Sequence, residues 1–542
     1  MIMTNLLINI DPLHYTIRIA AYSPELVTFC RSLQGARYNP HGKFWQAPRN
    51  VPNAIDLRRE GYCIDNEMLA SSALALRDPA LPPEFNWDVS AKFYKHQDAW
   101  EAWCKTRTKC LLAAEMGLGK TLMALQWLAA MGVNPNEVLI VCPISLIQHW
   151  VEEIKKFAGR ESVAVTGSTE CRLDLLAMPG IHIVNYEFIS LNKVALSAVQ
   201  NKKVLILDES HKIKDPRSVR SKTMKVLAEG ASHCLLLTGT PVSQGAQDYY
   251  AQVRCLNSRL LGTSFTAFRH RYCLEEQVRG APAGVRRITG YKNLDELVSL
   301  INPYVYSIKK KDCINLPEKV YTTRYVTLSK EQLKVYFEMK YEMIATMKSG
   351  EVVEGQNILT RLLRFSQITQ GFLQKDDEVQ VFENNPKLAC LLELLEEIGD
   401  EPVIIMCRFI YDMTVVCKAL ADKKISHNII CGDVKADKRH EVVNRFRHGD
   451  FRVLVGQLRV AGIGFNMEHC KHMIFYSNEY SLVDREQAED RIHRATSVGG
   501  SCVYIDIVAQ GTIDEHVISA LRSKKDFATQ IYHLQKQCVD YI

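Results

Sequence analysis

The sequence lacks the features that mark membrane-spanning and secreted proteins. No apolar run approaches the roughly 18 residues that a membrane-spanning helix needs. The first residues, MIMTNLLINID, have no basic start and reach Asp11 too soon for a secretory signal peptide. The 17 cysteines include no C-x-x-C pair and lie scattered along the chain. We therefore expect free thiols, no zinc site, no membrane partner and an intracellular location, in the cytoplasm, nucleoid or nucleus.

The chain also lacks a strong charge of either sign. Its 67 lysines and arginines and 61 aspartates and glutamates leave a net charge of +6 over 542 residues. This mild balance allows binding to nucleic acid through local basic patches but does not require it. With 47% hydrophobic and 24% charged residues, the composition is typical of a globular protein. The length suits roughly three or four domains of about 150 residues each.

The stretch CLLAAEMGLGKT predicts a phosphate-binding loop, because an apolar strand ends there in a glycine-rich turn that opens a helix. Gly117 and Gly119 would let backbone N–H groups approach phosphates, and Lys120 would supply a mobile positive charge. The hydroxyl of Thr121 can ligate Mg²⁺. Ala114 stands where such loops usually have their first glycine, but it is small enough for the prediction to stand.

A second stretch, VLILDESH, ends a buried apolar strand in two adjacent carboxylates, Asp208 and Glu209. At a strand tip, Asp208 can hold Mg²⁺, and Glu209 can position or deprotonate a water molecule. Together with the phosphate loop, this pair predicts hydrolysis of a nucleoside triphosphate. Upstream, the side-chain amide of Gln97 can both donate a hydrogen bond to an adenine edge and accept one from it. Without the other motifs, a glutamine on a helix would be interpreted as an ordinary surface residue.

The second half of the chain has no phosphate loop but carries the segment QAEDRIHR. If this segment is helical, Gln487, Arg491 and Arg494 share one face at positions i, i+4 and i+7. Arginines directed into a cleft can neutralise charge in a transition state. If the motif stood alone, a solvent-exposed helix face would be the favoured interpretation. Gly464 lies in AGIGFN, where a glycine-rich turn would let the backbone approach nucleotide or DNA phosphates.

Residues 1–65 predict a small, separate α+β module, and the Pro- and Ala-rich residues 66–91 predict a linker. The segment GARYNPHGKFWQAP interleaves Arg37 and Lys43 with aromatic rings such as Trp45, and it contains no acidic residue. Cations with stackable rings suit a nucleic-acid surface. Composition alone slightly favours another interpretation, in which the cations are merely solvated and the rings divide between core and surface.

The remaining chain predicts an α/β fold in two similar halves. Apolar strands alternate with helical segments, which indicates parallel sheets covered on both faces. The alternation breaks in a mostly helical region, residues 243–400, and then resumes. We divide this part into a first lobe with a helical insertion, residues 92–320, and a second lobe with a helical insertion and a C-terminal helix, residues 321–542.

The order of these stretches resembles the Swi/Snf family of superfamily-two DNA translocases. The resemblance covers about residues 92–535 and rests on FYKHQ, AEMGLGKT, VCPISLIQHW, NYE, LILDESHKIKD, LTGTPV, INLPEK, GIGFN, QAEDRIHR and GTIDEH. It implies two tandem RecA-like lobes, with ATP and Mg²⁺ between the phosphate loop and carboxylates of one lobe and the arginines of the other. It also implies duplex DNA lying across both lobes. Candidate contacts to the DNA backbone are then Ser145, Asn185 and Arg408.

The N-terminal module resembles the HARP domain of annealing helicases in its strand, its Ser-Pro-Glu-Leu helix and its GARYNPHGKFWQAP segment. Such domains direct the motor to branched DNA, such as stalled forks. The leading hypothesis is a DNA-dependent ATPase that translocates on double-stranded DNA and remodels or anneals branched DNA in repair. Two alternatives stay open: a conventional strand-separating helicase, and a DNA-bound factor that uses ATP as a switch to displace or recruit proteins.

Overall fold

A computed structural model describes residues 6–62, 65–71, 85–277, 286–313, 316–348, 355–375, 378–432, 434, 436–461, 467–493 and 500–539. The chain divides into two compact units. The first unit contains Met1–Glu275, Ile288–Lys309 and Ala528–Ile542, and the second contains Glu276–Arg287 and Lys310–Phe527. Every helix in the described part of the chain is too short or too polar to span a lipid bilayer.

The first unit begins with a small α+β domain, which we call the N-terminal domain. Its elements are β1 (Leu6–Ile10), β2 (His14–Ile19), α1 (Pro24–Ser32), β3 (Arg37–Asn39), β4 (Phe44–Pro48), α2 (Val51–Arg59) and α3 (Asn66–Ser71). The strands form an antiparallel sheet in the order β1-β2-β4-β3. The side chain of Ser23 caps α1, and that of Asn50 caps α2. Tyr15, Trp45 and Leu57 belong to the core between sheet and helices.

The rest of the first unit is an α/β lobe, lobe 1. Its central sheet uses β5 (Lys109–Ala114), β6 (Val138–Cys142), β7 (Ser162–Ala164), β8 (Ile181–Asn185), β9 (Val204–Asp208), β10 (His233–Thr238) and β13 (Val305–Ile308). All neighbours pair in parallel, in the order β13-β5-β10-β9-β6-β8-β7. The apolar runs of β6 and β9 are buried along their whole length, as expected for interior strands of a covered sheet.

In the described residues of lobe 1, ten α-helices accompany this sheet. They are α4 (Lys95–Cys104), α5 (Lys120–Met131), α6 (Ile147–Ala158), α7 (Thr169–Ala177), α8 (Tyr186–Leu191), α9 (Lys193–Val199), α10 (Val219–Gly230), α11 (Asp248–Leu256), α12 (Phe265–Tyr272) and α13 (Leu294–Ile301). Strands β11 (Cys273–Gln277) and β12 (Arg286–Tyr291) form a separate two-stranded sheet.

The second unit contains another parallel sheet, in lobe 2. It uses β14 (Lys319–Val326), β17 (Val403–Cys407), β18 (His427–Ile430), β19 (Val453–Gln457), β20 (His472–Phe475) and β21 (Cys502–Ala509), in the order β14-β21-β20-β17-β19-β18. Strands β15 (Phe372–Lys375) and β16 (Glu378–Val381) form an antiparallel hairpin. Separate apolar cores cover the two faces of the six-stranded sheet, which is the packing that a parallel sheet requires.

The helices that follow β14 are α14 (Lys330–Lys348), α15 (Gly355–Thr369), α16 (Pro386–Ile398), α17 (Ile410–Asp422), α18 (Ala436–Arg447), α19 (Leu458–Ala461), α20 (Leu482–Glu489) and α21 (Ile513–Val539). From Ala528 onward α21 belongs to the first unit, where Gln535 donates to the hydroxyl of Tyr249 and accepts from that of Ser307. Two parallel-sheet lobes with helical additions and a small α+β domain confirm the fold class expected from the sequence.

Candidate active site

The loops after three neighbouring strands of lobe 1 meet at one edge of the sheet. Strands β5, β10 and β9 are adjacent and parallel. Because carboxyl ends of parallel strands face the same side, the phosphate loop after β5 lies at the same edge as Thr238 and Asp208, the last residues of β10 and β9. Open α/β sheets bind ligands outside this edge.

The phosphate loop leads directly into α5. Gly117 and Gly119 have φ angles of 84° and 79°, in the left-handed region that glycine adopts without steric penalty. A Cβ atom at Gly119 would lie 2.6 Å from Nε2 of Gln97, so a larger residue there would displace the Gln97 amide. Lys120 opens α5, and its Nζ donates to the carbonyl of Ala114 at 3.1 Å. The loop therefore has the backbone that a phosphate cradle requires.

Each oxygen of the Asp208 carboxylate accepts a hydrogen bond from a different donor. The indole Nε1 of Trp150 donates to Oδ2 at 2.9 Å, and the backbone N–H of Glu209 donates to Oδ1 at 2.8 Å. The hydroxyl of Tyr186 also donates to the Asp208 carbonyl at 2.8 Å. Glu209 has a φ of 52°, a left-handed conformation that costs a non-glycine residue about 1–3 kcal/mol. The surrounding bonds hold the pair in place despite that cost.

The two carboxylates differ in pKa because their neighbours differ. Burial raises the pKa of Asp208, and the negative charge of Glu209 raises it further. Burial also opposes ionisation of Glu209, but a hydrogen bond from His211 and the positive charges of His211 and Lys120 outweigh it and lower the pKa of Glu209. Nδ1 of His211 lies 3.2 Å from Oε2 of Glu209 and 3.3 Å from Oγ1 of Thr238. His211 thus links the carboxylate pair to the end of β10.

The donor chemistry at this edge fits ATP bound together with Mg²⁺. Carboxylate and hydroxyl oxygens, which Asp208 and Thr121 would supply, are ligands that Mg²⁺ prefers. A Cβ atom at Gly239 would lie 3.8 Å from Nζ of Lys120, so this ammonium group reaches from the phosphate loop to the end of β10. When bound, the metal would stabilise negative charge on the phosphates. Lys120 would bind the same phosphates, and Glu209 would orient the attacking water.

Gln97 supports the phosphate loop from α4. It is 3% exposed, and its Nε2 donates to the carbonyl of Leu118 at 3.3 Å. Its Oε1 accepts from the backbone N–H of Tyr94 at 3.0 Å. Nε2 of His96 lies 3.1 Å from the same Leu118 carbonyl. Two neighbouring side chains of α4 therefore fix one carbonyl of the loop, and recognition of adenine by Gln97 stays a prediction.

In lobe 2, Gln487 lies on α20, which ends at Glu489, and Arg491 lies in the turns that continue from it, where its N–H donates to the Ala488 carbonyl. The backbone carbonyls of Glu489 and Arg491 accept hydrogen bonds from residues outside α20. The hydroxyl of Tyr504 donates to the Glu489 carbonyl at 3.0 Å, and the N–H of Met467 donates to the Arg491 carbonyl at 3.0 Å. Arg491 is 2% exposed.

Two other predicted residues of lobe 2, Gly464 and Arg494, lie outside the described residues. The roles assigned to Gly464, Gln487, Arg491 and Arg494 in nucleotide binding and hydrolysis therefore stay predictions.

In the N-terminal domain, Arg37 and Lys43 are exposed on the β3–β4 hairpin. Trp45 is 8% exposed and packs in the domain core, so it is not available to stack on a base. Strand alternation explains this, since Trp45 and Ala47 point inward from β4 while Gln46 points outward. The exposed ring of the hairpin is Tyr38, which is 51% exposed and packs against Trp45 at 5.2 Å between ring centroids.

The three candidate DNA contacts in the lobes differ in their surroundings. Ser145 is exposed in a 3₁₀ turn, Ile144–Leu146, after β6. Asn185 is 6% exposed, accepts from Arg172 at 3.2 Å and donates to Glu187 at 3.1 Å. In lobe 2, Arg408 follows β17 and donates to the hydroxyl of Ser366 at 3.1 Å.

Three residues that hold the carboxylate pair have no role that the sequence motifs predict. Trp150 lies in LIQHW, Tyr186 in NYE and His211 in DESH, all of them segments that carry the family resemblance. The sequence signal for these three residues was therefore their position inside motifs that carry the family resemblance. The partner of each side chain was not visible, because Trp150 and Asp208 are 58 residues apart in the chain.

Comparison with known proteins places these features in a family. Residues 94–375, more than half of the chain, match the SNF2-related domain, and residues 386–496 match the helicase conserved C-terminal domain. The DNA annealing helicase and endonuclease ZRANB3 of Mus musculus is 27% identical over 432 residues, which cover 77% of this chain and 38% of that protein. The putative ATP-dependent helicase/translocase YwqA of Bacillus subtilis is 26% identical over 439 residues, which cover 78% and 46%.

The chain thus spans less than half the length of these curated relatives. Among solved structures, the Sulfolobus solfataricus SWI2/SNF2 ATPase core in complex with dsDNA matches with a TM-score of 0.39 and 22% identity, over 83% of this chain and 94% of that one. The family match over more than half of the chain decides the assignment. The protein belongs to the SNF2-related family and is an ATP-hydrolysing, helicase-like enzyme of superfamily two.

Proposed function

We propose that this enzyme is a DNA-stimulated ATPase that translocates on double-stranded DNA and remodels or anneals branched DNA, such as forks. The family supplies the ATP-hydrolysing core, and a relative that shares 27% identity is named a DNA annealing helicase. The observation that carries the proposal for this chain is its N-terminal domain. That domain presents cations on an exposed hairpin and is fixed to lobe 1.

The hairpin of β3 and β4 provides a surface suited to nucleic acid. Arg37 on β3 and Lys43 in the turn before β4 are exposed. Tyr38 pairs with Trp45 while Arg37 pairs with Gln46, so Tyr38 lies on the opposite face of the sheet from Arg37, and it is 51% exposed. Arg31 is also exposed, at the end of α1. At a junction between duplex and single strands, cations can contact phosphates and a ring can stack on an unpaired base. Arg49, by contrast, is committed to an ion pair with Asp65 at 2.7 Å.

A cluster of charged side chains fixes the N-terminal domain to lobe 1. Arg271 on α12 forms two hydrogen bonds with Asp56 on α2, at 2.6 and 2.9 Å, and two with Glu296 on α13, at 2.6 and 3.1 Å. Arg59 pairs with Glu296 at 2.7 Å, and Leu300 of α13 packs against the core of the N-terminal domain. DNA bound by the hairpin would therefore be held at a defined place relative to lobe 1.

The proposed chemistry is assigned to the residues at the sheet edge and in lobe 2. Lys120 binds the ATP phosphates, Thr121 and Asp208 hold Mg²⁺, and Glu209 orients the water. Gln97 recognises adenine. The remaining proposed contacts are those of Gly464, Gln487, Arg491 and Arg494 with the nucleotide, and those of Ser145, Asn185 and Arg408 with the DNA backbone.

Two assays on related substrates separate this function from strand separation. One measures reannealing of a plasmid bubble held open by single-strand-binding protein, and the other measures displacement of a strand from a forked duplex. We expect ATP-dependent reannealing without displacement, and neither activity with Lys120→Ala. Displacement without reannealing would establish a conventional helicase. ATP turnover that DNA leaves unchanged, with neither activity, would establish an ATP-switched factor.

A further inference from the structure

The indole of Trp150 contacts the carboxylate that we assign to Mg²⁺. Trp150 lies on α6, is fully buried, and donates through Nε1 to Oδ2 of Asp208 at 2.9 Å. Asp208 itself is 7% exposed. An indole nitrogen can only donate, so this contact occupies one lone pair of Oδ2 and cannot be exchanged for another kind of bond.

The two hydrogen bonds to Asp208 fix the orientation of its carboxylate. Oδ2 is held by Trp150, and Oδ1 is held by the backbone N–H of Glu209 at 2.8 Å. Each carboxylate oxygen has two lone pairs, so one remains on each for a cation. With only one of the two donors, the carboxylate could turn about its χ2 angle, a torsion with a broad and soft energy profile.

The bond of Trp150 differs from those of three other buried tryptophans in lobe 1. Trp87, Trp100 and Trp127 each donate through Nε1 to a backbone carbonyl, at 2.8 Å. Those bonds satisfy a buried N–H and hold two segments of chain together. The bond of Trp150 is charge-assisted, because its acceptor is a carboxylate, and such bonds are roughly twice as strong as neutral ones.

We propose that Trp150 is a positioning residue for the Mg²⁺ of the bound ATP, acting through Asp208. This rests on the proposed role of Asp208 as a metal ligand. Donors that hydrogen-bond a ligating carboxylate typically contribute roughly 10- to 100-fold to metal affinity or activity. Trp150 therefore sets the Mg²⁺ requirement of the enzyme, whereas binding of the nucleotide without metal depends on the phosphate loop.

The first test compares Trp150→Phe with the matched control Trp87→Phe, since each removes one buried indole N–H and keeps an aromatic ring. Binding of mant-labelled adenylyl imidodiphosphate is titrated in EDTA and at increasing Mg²⁺ concentrations. Mg²⁺ should increase the affinity for the nucleotide analogue. We expect Trp150→Phe to raise the Mg²⁺ concentration that gives half of this increase roughly 10- to 100-fold. Its affinity in EDTA should equal that of the wild type, and Trp87→Phe should match the wild type in both conditions.

A second measurement is made on the wild-type protein and needs the variants only to assign two signals. In the wild-type protein labelled with 5-fluorotryptophan, each of the six tryptophans contributes one ¹⁹F signal, and single Trp→Phe variants assign them. Adding Mg²⁺ to the complex with the same nucleotide analogue should shift the signal that Trp150→Phe removes. The signal that Trp87→Phe removes should stay in place.

An unchanged Trp150 signal, or an unchanged Mg²⁺ requirement in a folded Trp150→Phe protein, would overturn this proposal. Asp208→Asn separates that outcome from a failure of the metal assignment. If Asp208→Asn abolishes the tightening by Mg²⁺ while Trp150→Phe does not alter it, only the role of Trp150 is refuted. If Asp208→Asn also leaves the tightening intact, Asp208 does not hold the metal.

Discussion

Buried carboxylates in this protein accept hydrogen bonds from specific donors. Their pKa values depend on whether those donors are charged or neutral. Asp65 accepts from Arg49 and from the hydroxyl of Tyr15, and although burial opposes ionisation, the bond from Arg49 outweighs it and lowers the pKa to about 2. Asp412 in lobe 2 accepts from the hydroxyl of Ser477 and from one backbone N–H. Burial dominates there and raises the pKa of Asp412 to about 7.

The raised pKa of Asp412 predicts a measurable pH dependence of stability. Between its ordinary value of 3.8 and about 7, the folded state holds the Asp412 proton more tightly than the unfolded state does. The free energy of unfolding therefore falls as pH rises through this window, by about 1.4 kcal/mol for each pH unit crossed. Asp412→Asn does not titrate, so its melting temperature should fall less than that of the wild type between pH 5 and pH 7.5.

Asp422→Asn is the matched control for this comparison, because Asp422 ends the same helix, α17, but is exposed. It should show the same pH dependence as the wild type. Equal slopes for the wild type and Asp412→Asn would show that Asp412 is ionised in the folded protein throughout this range.

Helix α20 is anchored by an ion-pair network that reaches across lobe 2. Arg485 contacts both oxygens of Asp506 on β21, at 2.5 and 3.1 Å, and donates to Glu489 on its own helix at 2.9 Å. The guanidinium carbon of Arg485 lies 3.3 Å from the ring centroid of Phe475 on β20. The network joins one helix to two neighbouring strands just before the segment that contains Arg491.

Removing one charge from this network should destabilise lobe 2. Asp506→Asn leaves the buried Arg485 without its bidentate partner, and breaking a buried pair in this way costs about 3–5 kcal/mol. We expect a correspondingly lower unfolding midpoint in urea for the transition of the second unit. Asp526→Asn, which removes an exposed charge from α21, should change the midpoint by less than about 0.5 kcal/mol in free energy. Similar midpoints for both variants would contradict the network's structural importance.

Sequence patterns predicted the interior strands of both lobes better than the strands at the sheet edges. The apolar runs of β5, β6, β8, β9 and β10, and of β17, β19, β20 and β21, identify these interior strands from sequence alone. Strands β7, β13, β14 and β18 lie at sheet edges, and of these four only β18 has an apolar run that predicts it. An edge strand has a neighbour on one side only, so its residues are partly exposed and need no continuous apolar run.

The chemistry of the site was predictable to the extent that it lies in short motifs. Lys120, Asp208 and Glu209 were identified from local sequence, because a strand, a tight turn and a helix start dictate their placement. Burial of Trp45 and the bond from Trp150 to Asp208 depend on contacts between distant segments, and local sequence does not encode these.

Docking of the N-terminal domain on lobe 1 makes these two parts one structural unit. Besides the bonds of Arg271 with Asp56 and Glu296, a close approach joins Gly262 to the N-terminal domain, since a Cβ atom at Gly262 would lie 1.8 Å from Oε1 of Gln34. A side chain at Gly262 would therefore collide with this domain. The hairpin of β3 and β4 therefore belongs to the same compact unit as lobe 1.

Charge reversal at Arg271 tests whether this docking matters for the choice of DNA. Arg271→Glu places a third carboxylate beside Asp56 and Glu296, and the repulsion should detach the N-terminal domain. We expect the preference of the ATPase for forked over plain duplex DNA to be lost, while stimulation by plain duplex is retained. Arg259→Glu, an exposed reversal near α12, should keep the fork preference. A fork preference that survives Arg271→Glu in a protein with a detached domain would show that the N-terminal domain does not select the DNA.

The most direct test of the central claim is the ATPase rate measured with single-stranded, plain duplex and forked DNA under identical salt conditions. We expect strong stimulation by duplex, greater stimulation by forks, weak stimulation by single strands, and no hydrolysis by Glu209→Gln with any of them. A rate that is the same with all three DNAs and without DNA would contradict this claim.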